Sequence, residues 1–216
     1  MLDAYIYDGL RSPFGRHAGA LAGVRPDDLV ATLIDALVSR SGFSPNQIDD
    51  VVLGCACQAG EDARNVARHA VLLTTSLPVT LPGQTVNRLC SSGLAAILDA
   101  ARAITAGEGE VYIAGGVESM SRAPFVVAKS ESAYGRDFKV FDSAVGARFP
   151  NPRVLKRYGA DPMPETADNV ARDLGLSRHD VDVFALGSQQ KFEAARALGF
   201  FAGEIHPIEV AMGKKG

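Results

Sequence analysis

Residues 87–97, NRLCSSGLAAI, place a cysteine between a predicted strand and a predicted helix. The stretch is preceded by Thr85 and Val86, which favour an extended chain, and from Leu94 onward apolar side chains recur at the spacing of one helical face. Cys90 is therefore predicted at a helix N-terminus. There the unpaired backbone N–H groups and the positive end of the helix dipole favour the thiolate, which is the nucleophilic form of cysteine.

The alternative interpretation of a cysteine is structural, because free cysteine usually packs as a small buried hydrophobe. That interpretation fits Cys55 and Cys57, which lie at the end of the apolar run VVLGCAC, residues 51–57. One residue separates them rather than two, no second cysteine pair follows, and the four histidines are scattered. The sequence therefore predicts no metal site.

Strand-like and helical segments alternate on both sides of the cysteine. Strands are predicted at residues 4–7, 51–54, 85–89 and 110–114, and helices at 27–39, 64–73 and 91–106. Such alternation is typical of an α/β fold with a mostly parallel sheet covered by helices. Ligands of these sheets bind beyond the carboxyl ends of the strands, which is where Cys90 is predicted to lie.

The sequence changes character after Gly116. Residues 118–164 are rich in Ser, Arg, Pro and Gly and show little periodicity. A loop of this length inside a compact domain is usually functional. Two helices are predicted to follow, at 165–174 and at 178–198, and the segment 200–210 is predicted to be extended.

The composition excludes several classes of protein. The chain has 216 residues, 47% of them hydrophobic and 22% charged, which is ordinary for one large soluble domain or one domain with an insertion. A net charge of −3 with dispersed lysines and arginines argues against nucleic acid as a partner.

Asp3 and Asp8 interrupt the early apolar stretch, so no signal peptide is predicted. Prolines break the longest uncharged stretch, residues 70–87, so no membrane span is predicted there. Three cysteines without a paired framework indicate a reducing cytoplasm.

Three motifs, in this order and spacing, closely resemble those of the thiolases. They are NRLCSSG from residue 87, GGVESMSRAP at 115–124 and PETADNVA at 164–171. The resemblance covers essentially the whole chain. Two further stretches, QAGEDARNVAR at 58–68 and GARFPNP at 146–152, resemble the branch of the family that acts on 3-oxoadipyl-CoA in the degradation of aromatic compounds.

The resemblance implies the N-terminal αβ half of the thiolase fold at residues 1–117 and a truncated loop domain, which helps to hold coenzyme A, at 118–216. It implies that Cys90 is the acyl-accepting nucleophile and that Met163 lines the substrate pocket. The implied reaction transfers an acyl group between a 3-oxoacyl-CoA and coenzyme A, with coenzyme A as a substrate and no other cofactor. Arginines of the irregular segment are candidates for contact with its phosphates, although none is singled out as a site: Arg122, Arg136, Arg148, Arg153 and Arg157.

The family's remaining catalytic motifs do not occur in this sequence. They are an Asn in an NEAF-like motif, a His in a GHP-like motif and a second Cys near a glycine-rich turn. His206 precedes a proline but lacks the preceding glycine, and its segment corresponds to an apolar strand of the family. It is therefore not expected to be catalytic, and His17, His69 and His179 are interpreted as structural or solvated.

Two alternatives accompany this interpretation. The chain could be a catalytically inactive half-enzyme or a split-gene subunit that needs a partner chain. A ketoacyl synthase-like condensing enzyme shares the fold and the helix-capping cysteine, although the ESMSRAP segment favours a thiolase. The expected partners are acyl-CoA and coenzyme A, together with either a second copy of the chain or a C-terminal thiolase half.

Overall fold

An apolar run in the first half of the chain forms the middle strand of a parallel sheet. The computed structural model describes residues 2–211, and in it strand β1 (Asp50–Gly54) lies between β2 (Gly83–Val86) and β3 (Tyr112–Gly116). Both neighbours run parallel to β1, with Val51 opposite Gly83 on one side. The predicted parallel sheet is confirmed for these three strands.

Three helices alternate with these strands along the chain, as the sequence predicts. They are α1 (Pro26–Ser41), α2 (Val66–Leu73) and α3 (Ser92–Ala106). Helix α1 begins with a proline, whose fixed φ suits the first helical position, and ends at Gly42 in the left-handed conformation. The helices predicted at 27–39, 64–73 and 91–106 are thereby confirmed, with ends that differ by one or two residues.

Helices cover both faces of the sheet. Alternate side chains of a strand point to opposite faces, and Val51 and Leu53 join the main core cluster while Val52 does not. Helix α3 packs against all three strands through its buried residues, which include Ala96 and Ala100. The main core cluster lies on the other face, where α1 and α2 contribute Val30, Ala31, Ile34, Val38, Val66, Ala67, Ala70 and Val71.

The strand predicted at residues 4–7 is wrong. Residues 2–10 form no strand, and Tyr5 is 91% exposed. The segment is tied by hydrogen bonds instead: the Asp3 amide donates to Thr105 Oγ1 at 2.9 Å, and the Asp8 carboxylate pairs with Arg40. A strand needs a hydrogen-bonded neighbour, and among the described residues β3 pairs with β1 alone.

The predicted extended segment at 200–210 is wrong at its start, where residues 200–204 form turns. Ile205 then forms an isolated bridge with Arg11. The bridge rests on two backbone hydrogen bonds, from Arg11 N to the Glu204 carbonyl at 2.8 Å and from His206 N to the Arg11 carbonyl at 2.9 Å. The two hydrogen bonds hold the segment 204–206 beside Arg11.

The chain divides into two compact units. The first runs from the N-terminus to Val126 and resumes at Glu204, and the second is Val127–Gly203. Strand β4 (Phe125–Val127) ends at the first residue of the second unit. The elements that follow it lie in that unit: β5 (Val140–Asp142), α4 (Pro152–Tyr158), α5 (Met163–Asp173) and α6 (Arg178–Ala197). Strands β4 and β5 form a separate two-stranded sheet. No residue of α4, α5 or α6 is buried, so this unit has little core of its own.

The predicted domain boundary between residues 117 and 118 stays a prediction. The first unit continues further because the short 3-10 helix Met120–Arg122 is bonded to it. The Arg122 guanidinium binds the Glu61 carboxylate, and the Ala18 amide donates to Ser121 Oγ at 2.8 Å. The assignment of coenzyme A binding to residues 118–216 stays a prediction.

Candidate active site

Cys90 lies in a tight turn between the sheet and α3. Strand β2 ends at Val86, residues 87–91 form the turn, and Ser91 is the N-cap of the helix. Cys90 is exposed. The predicted placement of Cys90 before a helix N-terminus is confirmed, whereas its role as a nucleophile stays a prediction.

The first half of this turn is held by the side chain of Asn87. Asn87 Oδ1 accepts from the Leu89 amide at 2.9 Å, and Asn87 Nδ2 donates to the Ala56 carbonyl at 3.1 Å. Leu89 has a φ of +51°, in the left-handed region that side chains other than Gly, Asn and Asp seldom adopt. Because the chain turns here, β2 ends earlier than the predicted strand at 85–89.

The second half of the turn is held by Ser92, the first residue of α3. Its buried hydroxyl accepts from the Arg88 amide at 2.8 Å and donates to the Leu89 carbonyl at 2.6 Å. The Ser91 amide also donates to the Arg88 carbonyl at 3.1 Å. The residues on both sides of Cys90 are therefore bonded to each other across the turn.

Two glycines let α3 begin close to the ends of the strands. A Cβ at Gly54, the last residue of β1, would lie 2.2 Å from the Ser92 carbonyl carbon. A Cβ at Gly116, the last residue of β3, would lie 2.9 Å from the Gly54 carbonyl oxygen and 3.4 Å from Gly93 Cα. These approaches leave no room for a side chain, so the glycines fix the distance between the sheet and the helix that carries the cysteine turn.

Cys55 is buried, whereas Cys90 is exposed. The Cys55 Sγ lies 3.9 Å from a carboxylate oxygen of Asp62 and 3.9 Å from one of Glu118. Burial, with the negative charges of both carboxylates, raises the pKa of the Cys55 thiol to about 12. Cys55 is thus a neutral thiol at physiological pH, as expected of a structural cysteine.

The sulfur and carboxylate oxygens of Cys55, Asp62 and Glu118 lie within 4.8 Å of one another, which is close enough for a metal ion. Their hydrogen bonds favour a structural role instead. The Glu118 carboxylate accepts from the Ala56 amide at 2.9 Å and the Cys57 amide at 3.0 Å, and Asp62 accepts from the Gly60 amide at 3.1 Å. That the chain holds no metal stays a prediction.

We expect iodoacetamide to alkylate Cys90 well before Cys55 and Cys57 in the native protein. Only Cys90 is exposed, and a thiol with a pKa of about 12 is ionised in about 1 molecule in 10,000 at pH 8. Peptide mapping of briefly labelled protein measures the order, and protein labelled in denaturant is the control in which all three react. Equal labelling of the three in the native protein would contradict the assignment of Cys90.

Helix α3 exposes apolar side chains next to Cys90. Leu94 is 61% exposed and Ile97 is 37% exposed, and Leu89 in the turn is exposed as well. Residues 89–106 are long and apolar enough to cross a membrane by length and composition alone, and 17% of this stretch is buried. One such stretch is weak support for a membrane span, and it contains the ion pair of Asp99 with Arg102 at 2.8 Å. The exposed side of α3 is thus an apolar surface next to Cys90.

Met163, predicted from the resemblance to line a substrate pocket, is the first residue of α5. Its side chain is 79% exposed within the second unit. A substrate-binding role for Met163 stays a prediction.

Two of the arginines considered for coenzyme A are already engaged. The Arg122 guanidinium binds both oxygens of Glu61, which raises the pKa of Arg122 and lowers the pKa of Glu61. Arg148 Nη1 donates to the Ser143 carbonyl at 2.8 Å. Contact of any of these arginines with coenzyme A stays a prediction.

The histidines occupy unrelated places. His206 and His69 are both partly buried. The backbone amide of His206 donates to the Arg11 carbonyl, and His69 lies on α2. His17 and His179 are exposed. That none of the four is catalytic stays a prediction.

Comparisons with known proteins agree on one family. The model of the family described as thiolase, N-terminal domain, matches residues 4–216. A beta-ketoadipyl-CoA thiolase of Pseudomonas putida is 57% identical over 100% of this chain and 54% of its own length. A 3-oxoadipyl-CoA/3-oxo-5,6-dehydrosuberyl-CoA thiolase of Escherichia coli K12 is 54% identical, with the same coverage of 100% and 54%.

The fold comparison gives the same result. The crystal structure of the acetyl-CoA acetyltransferase of Bacillus anthracis superposes with a TM-score of 0.84 at 33% identity, covering 97% of this chain and 51% of that one. The chain thus spans about half the length of the curated relatives that it matches.

Proposed function

This chain belongs to the thiolase family, and we propose that it carries the acyl-accepting cysteine of an acyl-CoA acyltransferase that acts on 3-oxoadipyl-CoA. The observation that carries the proposal is the exposed thiol of Cys90, held in a closed turn directly before the N-terminus of α3. The names of two relatives, which specify beta-ketoadipyl-CoA and 3-oxoadipyl-CoA, support the substrate.

In the proposed reaction the Cys90 thiolate attacks the 3-oxo carbon of the substrate. The bond between carbons 2 and 3 then breaks, the acyl group stays on sulfur, and acetyl-CoA leaves as an enolate that takes a proton. In the second step the thiol of coenzyme A loses its proton and attacks the acyl carbon, which releases the new acyl-CoA and restores the Cys90 thiolate. Covalent catalysis divides one difficult transfer into two easier ones.

The N-terminus of α3 supports the first of these steps. The first backbone N–H groups of a helix have no partner within the helix, and they carry the positive end of its dipole. A negative oxygen that develops on the carbon bonded to Cys90 is stabilised by the positive end of this dipole and by the amide of Cys90 itself.

The proton transfers need groups that we assign to the part of a thiolase that this chain does not span. The leaving enolate requires an acid, and the incoming thiol requires a base. In the resemblance these are the His, Asn and second Cys of motifs that the sequence lacks. A subunit that acts only with a partner chain is the second candidate, and the exposed apolar side of α3 favours it. The matched family and relatives are thiolases, which disfavours the ketoacyl synthase alternative.

Coenzyme A is proposed as a substrate, held in part by the segment 118–216, with no other cofactor. A cytoplasmic location is proposed as well. All three cysteines are free, which suits a reducing compartment.

Mass spectrometry of the protein incubated with a reactive acyl-CoA tests the proposed function. The expected product is a single acyl group, which peptide mapping places on Cys90 and which free coenzyme A removes. An acyl-CoA that leaves the protein unmodified, or that modifies a different residue, would contradict the assignment.

We expect the chain to associate through the exposed side of α3, either with a second copy or with a C-terminal thiolase half. Apolar patches of this kind usually bind a partner. In sedimentation experiments at micromolar concentration, Leu94→Glu is expected to weaken the association by at least about tenfold, because a buried unpaired carboxylate is costly. Ser39→Glu, at an exposed position of α1, is the matched control and leaves it unchanged. A monomeric chain that binds no dye for apolar surfaces would refute the expectation.

A further inference from the structure

We propose that Asn87 is a positioning residue for Cys90: it sets the place of the nucleophile by holding Leu89 and by tying the turn to the loop that follows β1. The inference rests on the proposed function, because it assigns a role in the same acyl transfer. The resemblance to the thiolases assigns Asn87 no role beyond membership of the NRLCSSG motif.

Both polar atoms of the Asn87 side chain form hydrogen bonds. Oδ1 accepts from the Leu89 amide at 2.9 Å, two residues along the chain, and Nδ2 donates to the Ala56 carbonyl at 3.1 Å. The first bond belongs to the Asx-turn class, in which the side chain imitates a backbone turn. Leu89, with its φ of +51°, is the residue immediately before Cys90. The bond from Asn87 therefore acts on the peptide that leads into the nucleophile.

The second bond connects the turn to a fixed point. Ala56 is held by Glu118, whose carboxylate accepts from the Ala56 amide at 2.9 Å and from the Cys57 amide at 3.0 Å. Glu118 follows β3 and Ala56 follows β1, so the loop is anchored at the carboxyl ends of two adjacent strands. Asn87 extends that anchorage to the cysteine turn.

Ser92 does not duplicate this role. Its hydroxyl joins Arg88 to Leu89 inside the turn and fixes the turn to its own helix. It makes no bond to the loop after β1 among the hydrogen bonds of the described residues. Removal of the Asn87 side chain thus frees the turn from the loop while leaving the helix end of the turn bonded.

Removal of the Asn87 side chain is expected to misplace the Cys90 sulfur without making it less reactive. A shift of about 1 Å in a reacting group can slow a positioned reaction by about 100-fold. A small reagent such as iodoacetamide has no binding site to which the sulfur must be aligned. Acyl transfer from a bound acyl-CoA should therefore respond to Asn87, whereas alkylation should barely do so.

The test compares Asn87→Ala, Asn87→Asp and the control Asn46→Ala in the full chain. Asn46 is an exposed asparagine of a short 3-10 helix away from the turn. We expect Asn87→Ala to slow acyl transfer to Cys90 by about 100-fold, and to change the rate and pH profile of alkylation by less than about threefold. Asn87→Asp keeps the acceptor for Leu89 but loses the donor to Ala56, so an intermediate loss is expected. Asn46→Ala should match the parent protein.

A second substitution checks the mechanism. Leu89→Gly, added to Asn87→Ala, supplies a residue that adopts a positive φ without assistance, and we expect it to recover acyl transfer by about tenfold. A purely structural loss, in which acylation, alkylation and thermal stability all fall together in Asn87→Ala, would overturn the proposal. So would acyl transfer within twofold of the parent rate.

Crystallography separates failure of this inference from failure of the proposed function. In Asn87→Ala we expect Leu89 to leave the left-handed region and the turn to move away from Ala56. A turn that keeps its shape overturns the positioning role, whether or not the parent protein is acylated. A turn that moves in a protein whose Cys90 is never acylated supports the positioning of the turn and refutes the proposed function instead.

Discussion

Replacement of Cys90 by alanine is expected to abolish acyl-enzyme formation, with a fall in rate of more than about 10,000-fold. Removal of the nucleophile from a covalent mechanism can cost about a million-fold in turnover, since no other group takes over the bond to the acyl carbon. Intact-mass measurement after incubation with acyl-CoA shows the loss directly. Cys90→Ser is expected to be nearly as inactive, because a hydroxyl at this position has no adjacent base in the described turn to ionise it.

Cys57→Ala is the matched control for this experiment. Cys57 is buried and lies in the loop after β1, and we expect its replacement to leave acylation within about threefold of the parent rate. Acylation that persists in Cys90→Ala at a new residue would show that the nucleophile has been wrongly assigned.

Residues 1–216 produced alone are expected to show no useful thiolysis, although they still accept an acyl group on Cys90. Transfer to sulfur from an activated thioester needs mainly the nucleophile and its neighbouring amides. Cleavage of the carbon–carbon bond also needs an acid and a second oxyanion site. Loss of a general acid or base costs about 100 to 10,000-fold and loss of an oxyanion donor about 100 to 1,000-fold, so the combined loss is roughly 10,000-fold or more.

Cleavage of 3-oxoadipyl-CoA and of acetoacetyl-CoA, before and after addition of a C-terminal half from a related thiolase, measures this difference. The Cys90→Ala chain with the same added half is the control and should stay inactive. Robust activity of residues 1–216 without the added half would mean that His206 or another local group moves the proton, and that the catalytic groups have been misplaced.

The elements of the fold that are determined locally are predictable from the sequence. The run VVLGCAC indicates a buried strand, and the apolar spacing from Leu94 indicates the helix that the structure confirms as α3. The segment 4–7 has an equally strand-like composition, but a strand depends on a neighbour elsewhere in the chain. The described residues supply no neighbour to this segment, and no local pattern could have shown that.

The candidate site is predictable only in part, for the same reason. The small residues after Cys90 and the following helix indicate where the thiol lies. The bonds that fix its turn join residues far apart in the sequence, such as Asn87 with Ala56 and Glu118 with Ala56. The burial that makes Cys55 unreactive is suggested by its apolar neighbours, whereas the two carboxylates that raise its pKa further come from loops whose meeting requires the fold.

The exposure of Cys90 leaves its side chain open to oxidation in the unassembled chain. An accessible cysteine is open to peroxides, which convert it first to sulfenic acid and then irreversibly to higher oxides. Leu94 and Ile97 lie in the first turns of the same helix. A partner of the kind proposed for this surface would cover them and shelter the sulfur, so assembly would also protect Cys90 against oxidation. The unassembled chain is then the form in which oxidative inactivation begins.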